Sequence, residues 1–192
     1  MLKLNVPSAR WERDGWVTER DEFHPALPDK TTNCPRKIGI VSTFVIISAP
    51  RSERHQALVH QLLERRFSCV MWDEAHKIRR GNLSPANVYE PPEKKLLYRF
   101  AEQLAARTKT LLLATATPVQ LHPMELWDLL YILSVSNPQV LGSSNSSWRR
   151  ADGPEVFDIV AGRKDVDPLY EKWQFWRDPL PAPLNAKTKI FD

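Results

Sequence analysis

Two acidic side chains and a histidine stand together near the middle of the chain, in the run Asp73-Glu74-Ala75-His76, which directly follows the apolar run Cys69-Val-Met-Trp72. An apolar run that ends abruptly in carboxylates is typical of a buried parallel strand that delivers them to the carboxyl edge of a sheet. At such an edge one carboxylate can hold Mg2+ through its waters while the other positions a nucleophilic water. Phosphoryl transfer needs both, because its catalysis is mostly positioning and charge neutralisation around metal-bound phosphates. Taken alone, the same four residues are equally consistent with the solvated start of a loop and a turn histidine.

Two threonines follow the next apolar run, in the segment Leu111-Leu-Leu-Ala-Thr-Ala-Thr-Pro118. Thr115, Ala116 and Thr117 would lie at the tip of a neighbouring strand, where the hydroxyl groups can hydrogen-bond His76 or the acidic pair. An ordinary strand that ends in a Thr-Pro turn is the simpler interpretation of this segment by itself. The acidic and threonine segments occur together, however, with room for a helix between them, and coincidence is then a poor explanation.

The elements that must position these residues alternate along the chain. Apolar and β-branched runs predict three buried strands, over residues 38–47, 67–72 and 110–116. Apolar residues at helical spacing predict three helices, over residues 52–66, 93–107 and 123–133. This alternation predicts an α/β fold with one parallel sheet and helices on both of its faces, and ligands then belong at the carboxyl ends of the strands.

The predicted lobe occupies residues 37–134, between two flanks of different composition. Residues 1–36 are rich in tryptophan, charge and proline, and we expect an irregular segment there. Residues 135–192 are expected to form a loop-rich tail, with a possible short helix near residues 168–176. The lobe is therefore the part of the chain in which a functional site is expected.

Composition narrows the class of protein. Lys and Arg number 27 and Asp and Glu 23, so the net charge is +4, which permits contact with a phosphate backbone without demanding it. The apolar runs fall far short of the roughly 18 residues of a membrane span, and no membrane partner is expected. Cys34 and Cys69 have no metal-ligand spacing with the histidines, so no zinc site is expected. We expect both cysteines to be free thiols in a reducing cytoplasm.

Basic and aromatic residues surround the acidic run. Lys77, Arg79 and Arg80 follow it and can contact a nucleic acid backbone, although such clusters more often form a solvated loop. Trp72 and Trp127 fall within predicted buried elements, where packing in the core is expected.

Three stretches of the chain together resemble a known family. They read Trp72-Asp-Glu-Ala-His-Lys-Ile-Arg-Arg80, Leu112-Leu-Ala-Thr-Ala-Thr-Pro-Val-Gln120 and Glu125-Leu-Trp-Asp-Leu-Leu-Tyr-Ile-Leu133. In order and content they look like motifs two and three of superfamily two helicases, in the Swi/Snf-like branch of the DEAH-box helicases and DNA translocases. The resemblance covers about Ile38 to Leu133 and implies motifs Ib to III of a RecA-like, P-loop NTPase lobe.

The resemblance implies a role for each residue of the two segments. Asp73 would coordinate Mg2+, Glu74 would orient the attacking water, and His76 with the segment 115–117 would couple the state of the nucleotide to DNA engagement. The implied cofactors are ATP and Mg2+, and the implied partner is DNA, with double-stranded DNA favoured.

Ser42 and Thr43 match the next upstream motif of the family more loosely. In relatives that motif contacts a nucleic acid strand, so the resemblance implies a nucleic-acid-binding role for this pair.

The chain also departs from the family pattern. A phosphate loop requires Gly-x-x-x-x-Gly-Lys-[Ser/Thr], and none of the six glycines is spaced or followed in that way. Leu121 stands where many relatives have Asn. We therefore expect an incomplete lobe one, which needs an amino-terminal half-lobe and a second lobe, in cis or in trans, before it can turn over ATP.

Two other functions remain open at this stage. The chain can be a degenerate, non-catalytic DNA-binding or scaffold module that keeps the same fold. It can also be a fragment of a DEAH-type RNA helicase, whose turnover would be stimulated by RNA and not by double-stranded DNA.

Overall fold

The computed structural model describes residues 6–12, 14–26 and 33–141, and the chain divides into two compact units between Arg66 and Phe67. Both units contain helices and strands, so the fold is mixed α/β. The strands of the described residues are β1 (Ser8–Glu12), β2 (Gly15–Thr18), β3 (Phe23–Pro25), β4 (Ile38–Ile40), β5 (Phe67–Trp72) and β6 (Thr108–Leu113). The α-helices are α1 (Thr43–Ser48), α2 (Glu53–Glu64), α3 (Leu96–Ala105) and α4 (Met124–Ser136).

The first unit is built on a mixed sheet with the strand order β3-β2-β1-β4. The strands β1 and β2 are antiparallel, as are β2 and β3, whereas β4 runs parallel to β1. Asp14 adopts a positive φ of 61° at the β1–β2 turn. A Cβ on the next residue, Gly15, would lie 2.6 Å from the carbonyl oxygen of His24, so the close approach of β3 requires glycine.

The core of the first unit forms between this sheet and its helices. Ala9, Trp11, Trp16, Val45 and Leu58 are buried together. The rings of Trp11 and Trp16 meet edge to face with centroids 5.4 Å apart, a geometry that the aromatic quadrupole favours. The prediction of an irregular amino-terminal flank is therefore wrong for the described residues up to Ala26, which contain three of the four strands of this sheet.

The predicted strand over residues 38–47 is also wrong beyond Ile40, because residues 43–48 form the helix α1. Local hydrogen bonds explain the difference. The Ser42 hydroxyl accepts the amide of Phe44 at the start of α1, and the Ser48 hydroxyl donates to the Phe44 carbonyl at its end. Short apolar runs fit a strand or a helix equally well, and the Ser42 cap favours the helix.

The second unit is organised around a parallel pair of strands, β5 and β6, in which Trp72 lies opposite Leu113. The helix α3 covers one face of the pair, where Phe100 contacts Trp72 with ring centroids 6.0 Å apart. The other face presents Met71 and Leu112, which are exposed. The predicted strand over 67–72 and the predicted burial of Trp72 are confirmed.

The single parallel sheet predicted from the sequence is not found in the described residues. The strand β4 pairs with β1, and β5 and β6 form a separate two-stranded sheet with one exposed face. A RecA-like arrangement thus stays a prediction, as do the bounds 37–134 of the predicted lobe. The possible helix near residues 168–176 lies outside the described residues, and none of the described helices is long and apolar enough to cross a membrane.

Charge pairing in the first unit generates a testable pH dependence. The guanidinium group of Arg36 donates to the carboxylate of Glu19 at 2.9 Å and holds the pKa of Glu19 at about 2, against an ordinary value of 4.5. Because the folded pKa lies below the unfolded one, this pair stabilises the chain above pH 4.5, and its contribution is lost as the pH falls through about 2.

We expect the Glu19→Gln variant to be less stable than the parent at neutral pH and equal to it at low pH. Urea unfolding across this pH range measures the difference, and a carboxyl NMR titration gives the pKa directly. A Glu19 titration near the ordinary value would contradict the account.

Candidate functional site

The ends of β5 and β6 are locked together by backbone hydrogen bonds that continue beyond the strands. The amide of Ala114 donates to the Trp72 carbonyl at 2.8 Å, and the amide of Ala75 donates to the Ala114 carbonyl at 2.9 Å. These two bonds join the acidic turn (residues 73–77) to the threonine turn (residues 114–118). The segments that the sequence marked as candidates therefore lie side by side at the carboxyl edge of the parallel pair.

The acidic turn has an unusual backbone. Glu74 lies in the left-handed region, with φ 53° and ψ 47°, and its amide donates to the carboxylate of Asp73 at 2.9 Å. A left-handed conformation costs a residue other than glycine about 1 kcal/mol or more, and such strain is often found at functional sites. The turn continues directly into a 3-10 helix over Ala75–Lys77, while the side chains of Asp73 and Glu74 remain exposed.

His76 connects the two turns through its side chain. Its Nδ1 atom lies 3.1 Å from the hydroxyl of Thr115 and 3.1 Å from a carboxylate oxygen of Glu74. The imidazole is largely buried, with 19% of the side chain exposed. The Thr115 hydroxyl also accepts the amide of Thr117 at 3.2 Å, so one threonine organises its own turn and contacts the histidine of the other.

Glu125 fixes the chain that follows the threonine turn. Its carboxylate accepts the backbone amides of Gln120, Leu121 and His122 at 2.8, 2.7 and 3.3 Å, ahead of the first turn of α4. The side chain is 3% exposed, and its other oxygen lies 3.7 Å from the guanidinium of Arg79. A buried carboxylate at a helix amino terminus is favoured by the helix dipole and by these amide donors.

Arg80 forms a buried ion pair with Asp128. The guanidinium donates to both oxygens of the Asp128 carboxylate, the shortest distance being 2.6 Å, and the two side chains are 4% and 0% exposed. Arg80 also donates to the carbonyls of Val88 and Glu90 at 2.9 and 3.3 Å, and the hydroxyl of Tyr98 donates to Asp128 at 3.3 Å. Sequence analysis offered two interpretations of Arg80, a solvated loop residue and a contact to a nucleic acid backbone. Because the side chain is buried against Asp128, both are wrong.

Burial changes the acid-base behaviour of this cluster. Desolvation raises the pKa of Asp128 above its usual value, and the hydrogen bonds and charge of Arg80 oppose that rise. Burial also raises the pKa of Tyr98 well above that of a free phenol, with the Asp128 charge acting in the same direction. Tyr98 therefore acts as a neutral donor, and the cluster is a structural one.

The structure brings most of the candidate residues together. Asp73, Glu74 and His76 share the acidic turn, and Thr115 and Thr117 share the threonine turn beside it. Between these two threonines lies Ala116, which is exposed. Their roles in catalysis and coupling stay predictions.

Ser42 and Thr43 belong to the first unit. The hydroxyl of Ser42 is engaged in capping α1, and Thr43 is the first residue of that helix. Their role in binding nucleic acid stays a prediction.

The donor chemistry of the acidic turn suits Mg2+ better than a transition metal. The described residues contain no group of three or more His, Cys, Asp or Glu side chains that could enclose a metal ion. Mg2+ is usually held by one or two carboxylates together with water and phosphate oxygens, so the exposed Asp73 carboxylate fits that ion. Binding of Mg2+ and of ATP at this turn stays a prediction.

Comparison with known proteins gives one partial relative. The RNA polymerase-associated protein RapA of Haemophilus influenzae (strain PittEE) is 33% identical to this chain in an alignment of 114 residues that covers 55% of this chain. The chain spans 11% of the length of RapA. No protein-family model and no solved structure matches the chain. Together with the motif resemblance, this partial similarity suggests a helicase-related region.

Sequence reasoning missed the buried contacts that Arg80, Glu125 and Asp128 make. One signal was present, because Glu125 and Asp128 lie three residues apart in an otherwise apolar helix, and charges at that spacing share a face. Trp127, predicted to be buried, is 8% exposed, which confirms that interpretation.

We expect Glu125→Ala to lower the free energy of unfolding by about 2 kcal/mol or more, because three backbone amides lose a charged acceptor. Amide hydrogen exchange at residues 120–122 should accelerate in the same variant. Glu125→Gln, which keeps one acceptor oxygen, should lose less, and Glu90→Ala in an exposed loop is the matched control. Unchanged exchange at these amides would show that the Glu125 carboxylate does not hold the turn.

Proposed function

We propose that this chain forms part of the ATPase core of an ATP-dependent DNA translocase or helicase of the Swi/Snf-like type. The main support is the contact of His76 with both Glu74 and Thr115 at the carboxyl edge of a parallel strand pair. This edge is where open α/β sheets bind ligands, and it combines an acidic pair with a hydroxyl-bearing neighbour. The partial similarity to RapA supports the same class of protein.

Each residue of the acidic turn then has a distinct task. Asp73, which is exposed, would hold Mg2+ through its carboxylate. When bound, Mg2+ would neutralise charge on the phosphates of ATP. Glu74, whose side chain is half exposed, would orient a water and accept its proton, and the left-handed backbone presents its carboxylate beside His76.

The threonine turn would report the state of the nucleotide to the rest of the lobe. A shift of the Glu74 carboxylate changes its contact with His76, and His76 shares its Nδ1 atom with Thr115. Thr115 in turn holds the amide of Thr117, whose hydroxyl accepts the side-chain amide of Gln120. A short series of hydrogen bonds thus runs from the acidic turn toward α4.

Other parts of the proposed function rest on the motif resemblance. ATP as the nucleotide, double-stranded DNA as the partner, Ser42 and Thr43 as contacts to nucleic acid and a cytoplasmic location are proposals of this kind. A phosphate-binding loop and a second lobe would be supplied in cis or in trans, because these 192 residues contain no phosphate-loop motif.

The missing phosphate loop also supports a second candidate function. Without the lysine and the backbone amides of that loop, the carboxylates have little to hold a metal-nucleotide against them. The chain would then be a non-catalytic DNA-binding or scaffold module that keeps the arrangement of the strand ends.

A hydrolysis assay separates the two candidates. An amino-terminal segment that carries a phosphate loop is added to the full chain, and ATP turnover is measured with double-stranded DNA, with RNA and with neither. We expect DNA-stimulated turnover that falls about 100-fold or more in Glu74→Gln, because the variant cannot accept a proton.

Glu90→Gln is the matched control, since it makes the same chemical change on an exposed loop and should keep the parent rate. Equal rates for the parent and Glu74→Gln would remove Glu74 from the mechanism. Binding of DNA without turnover would favour the non-catalytic module, and stimulation by RNA alone would favour an RNA helicase.

A further inference from the structure

Two consecutive arginines meet two carboxylates on one face of α4. Arg79 lies 3.7 Å from Glu125, and Arg80 lies 2.6 Å from Asp128. Glu125 and Asp128 are three residues apart and both are buried, at 3% and 0% exposure. The chain that leaves the acidic turn is therefore held against α4 at two successive points.

The Arg80 contact is the stronger of the two. Its guanidinium is 4% exposed and donates to both Asp128 oxygens and to the carbonyls of Val88 and Glu90. Such a forked, fully desolvated arrangement fixes both the position and the orientation of the side chain. Arg79 is 39% exposed and makes a longer contact, so it adds less constraint.

The same helix holds the threonine turn. Glu125 accepts the amides of Gln120, Leu121 and His122, which connect the threonine turn to α4. Both strand-end turns are thus attached to the amino-terminal half of one helix. Their separation depends on α4 as well as on the pairing of the strands.

The segment that connects His76 of the acidic turn to Arg80 is short and conformationally restricted. Arg80 follows His76 by four residues, and between them Ile78 is 1% exposed while the 3-10 helix over Ala75–Lys77 restricts the backbone. A displacement of Arg80 therefore moves His76 relative to Thr115. Displacements of about 1 Å at a reacting group can cost about 100-fold in rate.

We propose that Arg80 and Asp128 are positioning residues, which hold His76 against Thr115 by anchoring the acidic turn to α4. This role rests on the proposed function, because the contact it maintains is the one assigned to hydrolysis and its coupling. Neither residue touches substrate, and Tyr98 completes the pair by donating to Asp128.

The test uses the full chain with an apolar replacement of the whole cluster, Arg80→Met with Tyr98→Phe and Asp128→Leu. All three polar groups are removed together, so no buried charge is left unpaired, and such replacements often keep a protein folded. Two readouts report the positioning. These are the NOE between the His76 ring and the Thr115 methyl group, and the hydrogen-exchange protection of the Ala75 amide, which donates to Ala114.

We expect the triple variant to lose the NOE and to lose Ala75 protection by about 10-fold or more. Arg99→Met, which makes the same chemical change at an exposed position of α3, is the matched control and should keep both at parent levels. Arg80→Lys keeps the positive charge but not the paired hydrogen bonds to both Asp128 oxygens, so it should weaken both readouts partly. This variant tests the proposal if the triple variant does not fold. The proposal would be overturned if a folded triple variant kept the NOE and the Ala75 protection at parent levels. If the triple variant is unfolded, the same result in Arg80→Lys would overturn it.

Turnover in the chain joined to the added phosphate-loop segment separates this proposal from the proposed function. The triple variant should lose kcat by about 10- to 100-fold with KM for ATP changed less than about twofold, since the nucleotide contacts remain. A parent that binds DNA without hydrolysing ATP would remove the proposed function, while the NOE and exchange readouts would still decide whether Arg80 positions His76.

Discussion

The parallel pairing of β5 with β6 is the constraint on which the candidate site depends. Parallel strands end at the same edge of a sheet, so His76 and Thr115 meet although they are 39 residues apart. The pairing also continues past the strands, through the bonds that link Trp72, Ala114 and Ala75. Without this ladder, the acidic turn and the threonine turn would be two unrelated loops.

The second constraint is that the acidic side chains of α4, Glu125 and Asp128, are buried. Taking Arg80 and Asp128 out of water is costly, and an apolar packing of similar volume would often be as stable. The ion pair fixes the orientation of the Arg80 side chain, because a guanidinium group that donates to both oxygens of a carboxylate fits it in one orientation. The amino-terminal half of α4 thereby contacts both turns, and the buried side chains of this helix include two acids as well as apolar residues.

Local patterns predicted the parts of the fold that local forces determine. The strand over 67–72, the helix α2 predicted over 52–66 and the meeting of the two turns follow from apolar runs, helical spacing and strand order. The helix α1 was missed because a short β-branched run fits two structures. The strands β1 to β3 were not predicted from the sequence, although Asp14-Gly15 is a strong hairpin signal. The burial of Arg80 depends on a partner 48 residues away, which no local pattern contains.

On the proposed function, the acidic turn and the threonine turn form one site for a metal-bound nucleotide. Replacing Mg2+ by paramagnetic Mn2+ in the presence of ATP tests it directly, because Mn2+ broadens the NMR signals of nuclei close to it. Titrated into the chain joined to an added phosphate-loop segment, Mn2+ with ATP should first broaden the amide signals of Asp73 to His76 and of Thr115 to Thr117, and Asp73→Asn should abolish the effect. Broadening elsewhere in the chain, or none at these two turns, would contradict the account.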